Sequence, residues 1–292
     1  MFRFLQPGRP IEQSDQEWLI RRLNWLLGRY GSEYLVRTPP ILPTVDALGV
    51  PFDRSPKAAR SLFSWVCRHM KLNEAHIHFK LFEAQRKQAA EFDLFTGSIG
   101  FASSHSAGLY EDSYDQAVLV DKELLRSFVP LIATIAHELS HVKLHRETDI
   151  DRSWPDYEKL TDLASVFFGF GLFLMQTAEQ DINVEGEPNR RMGYLPTALV
   201  CHTLAIGAFI QGDTRVRWMR HMDCRTRRFF KDSHRYLRWT NPPAVSLGPD
   251  GLLALGSSVH PPLDLNAQLQ RAIAREDYGE AARLKKLIDG KK

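Results

Sequence analysis

Residues 136–141 read Ala-His-Glu-Leu-Ser-His, with two imidazoles four positions apart and a carboxylate directly after the first. On an α-helix this spacing sets His137 and His141 on one face, one turn apart, where a nitrogen of each can converge on a single ion. Glu138 lies on the adjoining line of that face, in position to take a proton from a water held at the ion. Two histidines and one carboxylate would leave a coordination position open for water. Structural zinc sites instead fill all four positions and favour thiolates. The chemistry indicated is metal-assisted hydrolysis.

The neighbouring residues must build the helix and supply the missing ligand. Leu131, Ile132 and Ile135 make the helix apolar ahead of the motif, so its metal face is expected to be buried and dry. A short strand over residues 117–120 precedes it. Downstream, Tyr157-Glu158-Lys159-Leu160-Thr161-Asp162 opens a second helix that runs into an almost wholly apolar stretch, 163–175. A carboxylate at the edge of such a helix is costly unless it is paired or near a metal, which singles out Asp162. His145 continues the 137, 141 series. At about 1.5 Å per residue, however, it lies about 12 Å along the helix from His137, so a solvated helix end is expected.

HELSH followed by Glu158-x-x-x-Asp162 resembles the gluzincin group of zinc metallopeptidases over 26 positions, 137–162. The resemblance implies Zn²⁺ held by His137, His141 and Glu158, with Asp162 hydrogen-bonded to His137 and orienting it. It also implies a His or Tyr that stabilises a developing oxyanion, for which Tyr194 and His202 are candidates by position. The residues leave one alternative open, with Asp162 as the ligand and Glu158 in solvent. A metzincin pattern needs a glycine and a third histidine six residues past His141, where this chain has Arg146 and Glu147. That pattern is excluded.

The chain has 292 residues, 43% of them apolar and 25% charged, and a net charge of +3, so no global nucleic-acid field is implied. The first residues lack the apolar core of a signal peptide, and the apolar runs 166–175 and 198–210 are too short to span a bilayer. Cys67, Cys201 and Cys224 show no CxxC spacing, which fits a reducing, cytoplasmic setting without disulfides. Periodicity predicts helices over 16–30, from Ser55-Pro56 onward, and over 124–145, 157–176 and 195–211. Strands are expected at 76–82 and 116–121. The expected class is α+β, mainly helical, with a zincin-like core of a small mixed sheet, an active-site helix and a Glu-bearing helix. Four regions are expected: 1–72 helical, 73–240 catalytic, 241–262 a Pro/Gly/Ser-rich linker, and 263–292.

The last region carries Leu265, Leu269, Ala272, Ile273, Glu276-Asp277-Tyr278, Ala281-Ala282, Leu284 and Ile288. This pattern resembles the UVR motif, a small helical hairpin that makes protein–protein contacts. Gly279 and Lys285 depart from the usual residues. The resemblance implies a protein partner through residues 263–290. It sustains a rival reading of the chain, an adaptor with a structural or vestigial zinc site. Residues 215–238 hold nine Lys or Arg among aromatics, but Asp223 and Asp232 interrupt them and the aromatics fall at helical spacing suited to a core. A solvated amphipathic helix is therefore expected there, with no nucleic-acid partner. The favoured reading is a zinc metallopeptidase acting on a protein or peptide laid along an edge near residues 97–102. Zinc amidohydrolysis of a non-peptide substrate would use the same site.

Overall fold

The computed structural model describes residues 7–83, 116–147, 149–177, 194–240 and 243–256, together with Lys285. The expected edge at 97–102 lies outside these residues. So does the 263–292 hairpin, apart from Lys285, which is helical and exposed.

Helix α1 (Gln13–Tyr30) buries Trp18, Leu19, Leu23, Leu26 and Leu27 along one stripe, and Gly31 ends it with φ 80°, its N–H returning to the Leu27 carbonyl. After the four-residue α2 (Val45–Leu48), α3 (Pro56–His69) starts at Ser55, whose side chain accepts the Ala58 N–H, with Pro56 fitting a first turn that lacks hydrogen bonds. Strands β1 (Ile77–Phe82) and β2 (Gln116–Asp121) pair in parallel, from Ile77 opposite Gln116 to Phe82 opposite Asp121. Among the described residues the sheet is this parallel pair, with a separate antiparallel hairpin, where one mixed sheet was expected.

Helix α4 (Phe128–His145) is central, packed by α3, by β2 and by the helices that follow, and every residue from Pro130 to Val142 is buried. Helix α5 (Tyr157–Ser165) passes through a wide turn, Val166–Phe170, into α6 (Gly171–Thr177). Inside the turn Gly169 adopts φ 99°. Its carbonyl accepts the Ile41 N–H at 2.9 Å, and the Phe168 carbonyl accepts from His69 Nε2 at 2.8 Å. The whole run, Tyr157–Thr177, is 21 residues and apolar enough to cross a membrane by length and composition, longer than the 166–175 stretch taken alone. In the fold 89% of its most apolar 18-residue window is buried, as a core helix is.

Helices α7 (Thr197–Ile210) and α8 (Cys224–Trp239) pack against each other. Region 215–238 is not one helix. A 3₁₀ turn covers Arg217–His221, and Asp223 then caps α8 by accepting the Arg225 and Thr226 N–H groups. Trp218, Phe230 and Tyr236 turn inward, as their spacing predicts.

The stretch expected to be a linker contains the hairpin β3 (Val245–Leu247) and β4 (Leu253–Leu255). It docks on α1 because the Asn24 amide acts as a strand partner, donating to the Leu253 carbonyl at 2.8 Å and accepting its N–H at 2.7 Å. Val245 and Leu253 are buried in the same hydrophobic core as α1, α3 and α4. Helix α1 also reaches the start of α5. Asp156, just before that helix, accepts from Trp18 Nε1 at 2.7 Å and from Arg22 at 2.6 Å.

Gly169→Ala tests the turn between α5 and α6. A side chain there would hold a left-handed backbone and meet Ile41 at 3.4 Å. A loss of about 1–2 kcal/mol is expected in urea unfolding, and an unchanged midpoint would show that the turn tolerates a side chain.

Candidate metal centre

Helices α4 and α5 lie close because the residues between them are small. Ser140 Oγ bonds the Ala136 carbonyl and, at 2.9 Å, Ser165 Oγ across the seam. Over this seam α4 presents His137 and His141 and α5 presents Glu158 from its first turn. The motif residues are nearly inaccessible, with His137, Glu138 and His141 exposed by 4, 3 and 7%. The Glu158 side chain is 39% exposed and forms the open side.

Three donor atoms converge. His137 Nε2 and His141 Nε2 are 3.1 Å apart, and Glu158 Oε2 is 3.4 Å from the first and 3.3 Å from the second. The outer bonds of the imidazoles settle which nitrogens carry protons. His137 Nδ1 lies 2.8 Å from Asp162 Oδ1, so Nδ1–H donates outward and Nε2 points to the other two donor atoms. His141 Nδ1 lies 3.3 Å from Thr161 Oγ1, whose own proton goes to the Tyr157 carbonyl at 3.0 Å, so here too the outward bond is made at Nδ1 and Nε2 turns inward. Two imidazole nitrogens and a carboxylate oxygen thus face one another at 3.1–3.4 Å, a spacing that needs a positive charge among them. A proton or a metal cation between them relieves the repulsion. His137, Glu158 and His141 together form a group able to hold a metal ion.

Charge in the site follows the same logic. Burial opposes a charged imidazole at His137, but its bonds to Asp162 and Glu158 outweigh burial and raise its pKa well above the usual histidine value. Burial likewise opposes a charged Glu158, yet the two imidazoles hold its carboxyl well below the usual carboxylate range.

The structure brings most of the expected residues together and separates their roles. Glu158 supplies the third donor. Asp162 spends both oxygens elsewhere, Oδ1 on His137 and Oδ2 on the Leu195 N–H at 2.8 Å. Tyr194 stands beside the centre, its ring 6.1 Å from that of His137 and nearly parallel to it. His202 does not join this group. It is fully buried in α7 with its ring facing Tyr236 on α8, and neither of its nitrogens has a hydrogen-bond partner. His145 is exposed at the end of α4, as the helical rise predicts.

Two contributors were missed in the sequence. Thr161 braces His141 as Asp162 braces His137, and a search for one partner per imidazole would have found it on the turn between Glu158 and Asp162. Tyr157 lies against His141 with ring centroids 5.3 Å apart. Burial pushes its hydroxyl up to about 12, so it remains protonated at neutral pH. No protein-family model matches this chain, and no curated protein or solved structure matches it either. The chemistry of the site rests on its own geometry.

Metal titration separates brace from ligand. Glu158→Ala is expected to abolish stoichiometric binding at micromolar metal, whereas Asp162→Asn should weaken affinity by about 10–100-fold. The opposite order would make Asp162 the ligand. His202 offers a second test. Burial pushes its pKa down to about 4 from an ordinary 6.5, so the folded chain refuses a proton that the unfolded chain accepts. The stability tied to this group is complete above pH 6.5 and is lost as pH falls toward 4. His202→Leu should abolish a loss of roughly 2–3 kcal/mol between pH 7 and 4.5 in urea unfolding. An acid loss equal to wild type would remove His202 as its source.

Proposed function

We propose that this chain is a zinc-dependent hydrolase, most closely a metallopeptidase of gluzincin type, with His137, His141 and Glu158 as ligands and Glu138 as the proton carrier. One observation carries the reading, the 3.1–3.4 Å triangle of donor atoms. Ligands about 2.0–2.1 Å from a tetrahedral zinc sit about 3.3–3.4 Å from one another, the edge of that tetrahedron. Calcium, bound at about 2.3–2.6 Å by six to eight oxygens, fits neither the spacing nor the two nitrogens.

A zinc ion held there would supply a Lewis acid that eases the ionisation of water and polarises a carbonyl. The protein's own residues do the rest. Asp162 and Thr161 hold the two imidazoles as Nδ1–H forms, with their Nε2 lone pairs turned inward. Glu138, buried one residue after His137, takes the proton from the attacking water and returns it to the leaving amine. The apolar wall of α4 keeps bulk water from competing. Tyr194, beside the His137 ring, is placed to face a substrate carbonyl. A reducing, cytoplasmic setting fits the cysteines, since among the described residues Cys67, Cys201 and Cys224 form no disulfide. The UVR-like pattern at 263–292 would add a protein-binding element.

The test is Glu138→Gln. Zinc content measured by atomic emission should equal that of wild type, while cleavage products in a proteome-wide comparison of the two proteins should disappear, consistent with a loss of about 10²–10⁴-fold. Undiminished cleavage by a zinc-loaded Glu138→Gln protein would end the reading.

A further inference from the structure

Away from the metal centre, a groove of about 540 Å³ runs along one side of α8, lined by Cys224, Arg227, Arg228, Lys231, Asp232 and Arg235. Its charge is not the residue of a generally basic protein. Residues 215–239 hold nine Lys and Arg against two Asp, a net +7, on a chain whose total is +3, so the other 267 residues carry a net −4. The chain concentrates positive charge here against a net negative remainder.

The arrangement works against the helix that bears it. Arg227 with Lys231, Arg228 with Lys231, and Lys231 with Arg235 stand three or four residues apart, where like charges repel across a helix surface. Arg225, Arg227 and Arg228 lie near the N-terminal end, where the helix dipole disfavours cations. Relief is partial, because Asp232 bonds Arg235 at 2.9 Å but, among the described residues, Arg228 and Lys231 make no ion pair. Arg227 donates to the Met222 carbonyl at 2.7 Å, while its Nε is buried with no partner among the described residues. The aromatics of the stretch do not line the groove as stacking surfaces. Trp218, Phe230 and Tyr236 are buried in the core. That removes the feature by which single-stranded nucleic acid is usually held.

We propose that this groove binds a small anion carrying two or more phosphate groups. Its volume falls within the range of small-molecule sites. Three guanidinium forks and one ammonium suit phosphate oxygens, the forks by paired hydrogen bonds and the ammonium as a point charge. Four cations less Asp232 leave +3, which a single phosphate does not balance and a polyphosphate does. The site is independent of the metal centre.

Cys224 is a built-in reporter, because it is exposed at the groove while Cys67 and Cys201 are fully buried. The experiment follows alkylation of Cys224 by iodoacetamide in the full-length protein at constant ionic strength, with inorganic triphosphate as the probe. Saturable slowing is expected, with half-effect below about 1 mM. At ten times that concentration, mass action gives about tenfold slowing. Arg228→Glu and Lys231→Met should each weaken the protection without lowering Tm, and the neutral chelator phenanthroline, which strips metal without adding charge, should leave the alkylation rate unchanged. Equal slowing by sulfate at matched ionic strength, protection by phenanthroline, or protection by RNA or DNA oligonucleotides but not triphosphate would each overturn the proposal.

Discussion

Bringing two imidazole nitrogens and a carboxylate oxygen within 3.4 Å of one another demands that two helices approach more closely than bulky side chains permit. Helices α4 and α5 do so along Ser140 and Ser165, whose hydroxyls bond each other and the nearby backbone carbonyls in place of interdigitated aliphatic groups. Polar atoms buried on such a seam must all be paired, because each orphan costs about 1–3 kcal/mol. Here the pairing also fixes the register of the two helices. With that register set, Glu158 arrives at the level of His137 and His141, Thr161 behind the second imidazole and Asp162 behind the first. A slip of one residue would rotate α5 by about 100° and scatter all three.

Much of the rest of the fold serves that register. Helix α1 grips Asp156 through Trp18 and Arg22, two residues before Glu158, so the N-terminal region sets where α5 begins. The far end of the same run is held by a different device. The wide turn at Gly169 redirects the chain while Phe167, Phe168 and Phe170 stay fully buried, so α5 and α6 each pack on α4 without sharing one straight axis. The N-terminal helices, the helices around the motif and the β3–β4 hairpin consequently draw on one hydrophobic core.

The elements that depend on local pattern were readable in the sequence. The stripe of α1, the Ser55-Pro56 start of α3, the strand at 116–121 and the spacing of the two histidines all follow from periodicity, capping and helical rise. The roles of Glu158 and Asp162 came instead from the resemblance of Glu158-x-x-x-Asp162 to the gluzincin pattern, since the residues alone left either carboxylate open as the third donor. What escaped depends on tertiary contact. Thr161 matters only because its hydroxyl meets His141 from the neighbouring helix. Residues 245–255 look like linker by composition, yet Asn24, more than 200 residues earlier, completes their hydrogen bonding. His202 was a site candidate by its position in the chain alone, and position does not show that its ring faces Tyr236 across the α7–α8 contact. The 215–238 stretch was judged correctly for its buried aromatics, but where its arginines would gather depended on the break before α8.

Asp162 has a consequence beyond orienting a ring. Its two oxygens join parts of the chain that are remote in sequence, one holding His137 and the other the amide of Leu195, just ahead of α7. The carboxylate is therefore a thermodynamic hinge between the metal ligands and the start of α7. A cation that strengthens the His137–Asp162 bond also polarises the grip on Leu195, and the order of α7 at that point returns the effect to the ligands by the same amount, since coupling between two sites is reciprocal. A single side chain would thus make any loading of the centre and the seating of α7 parts of one equilibrium.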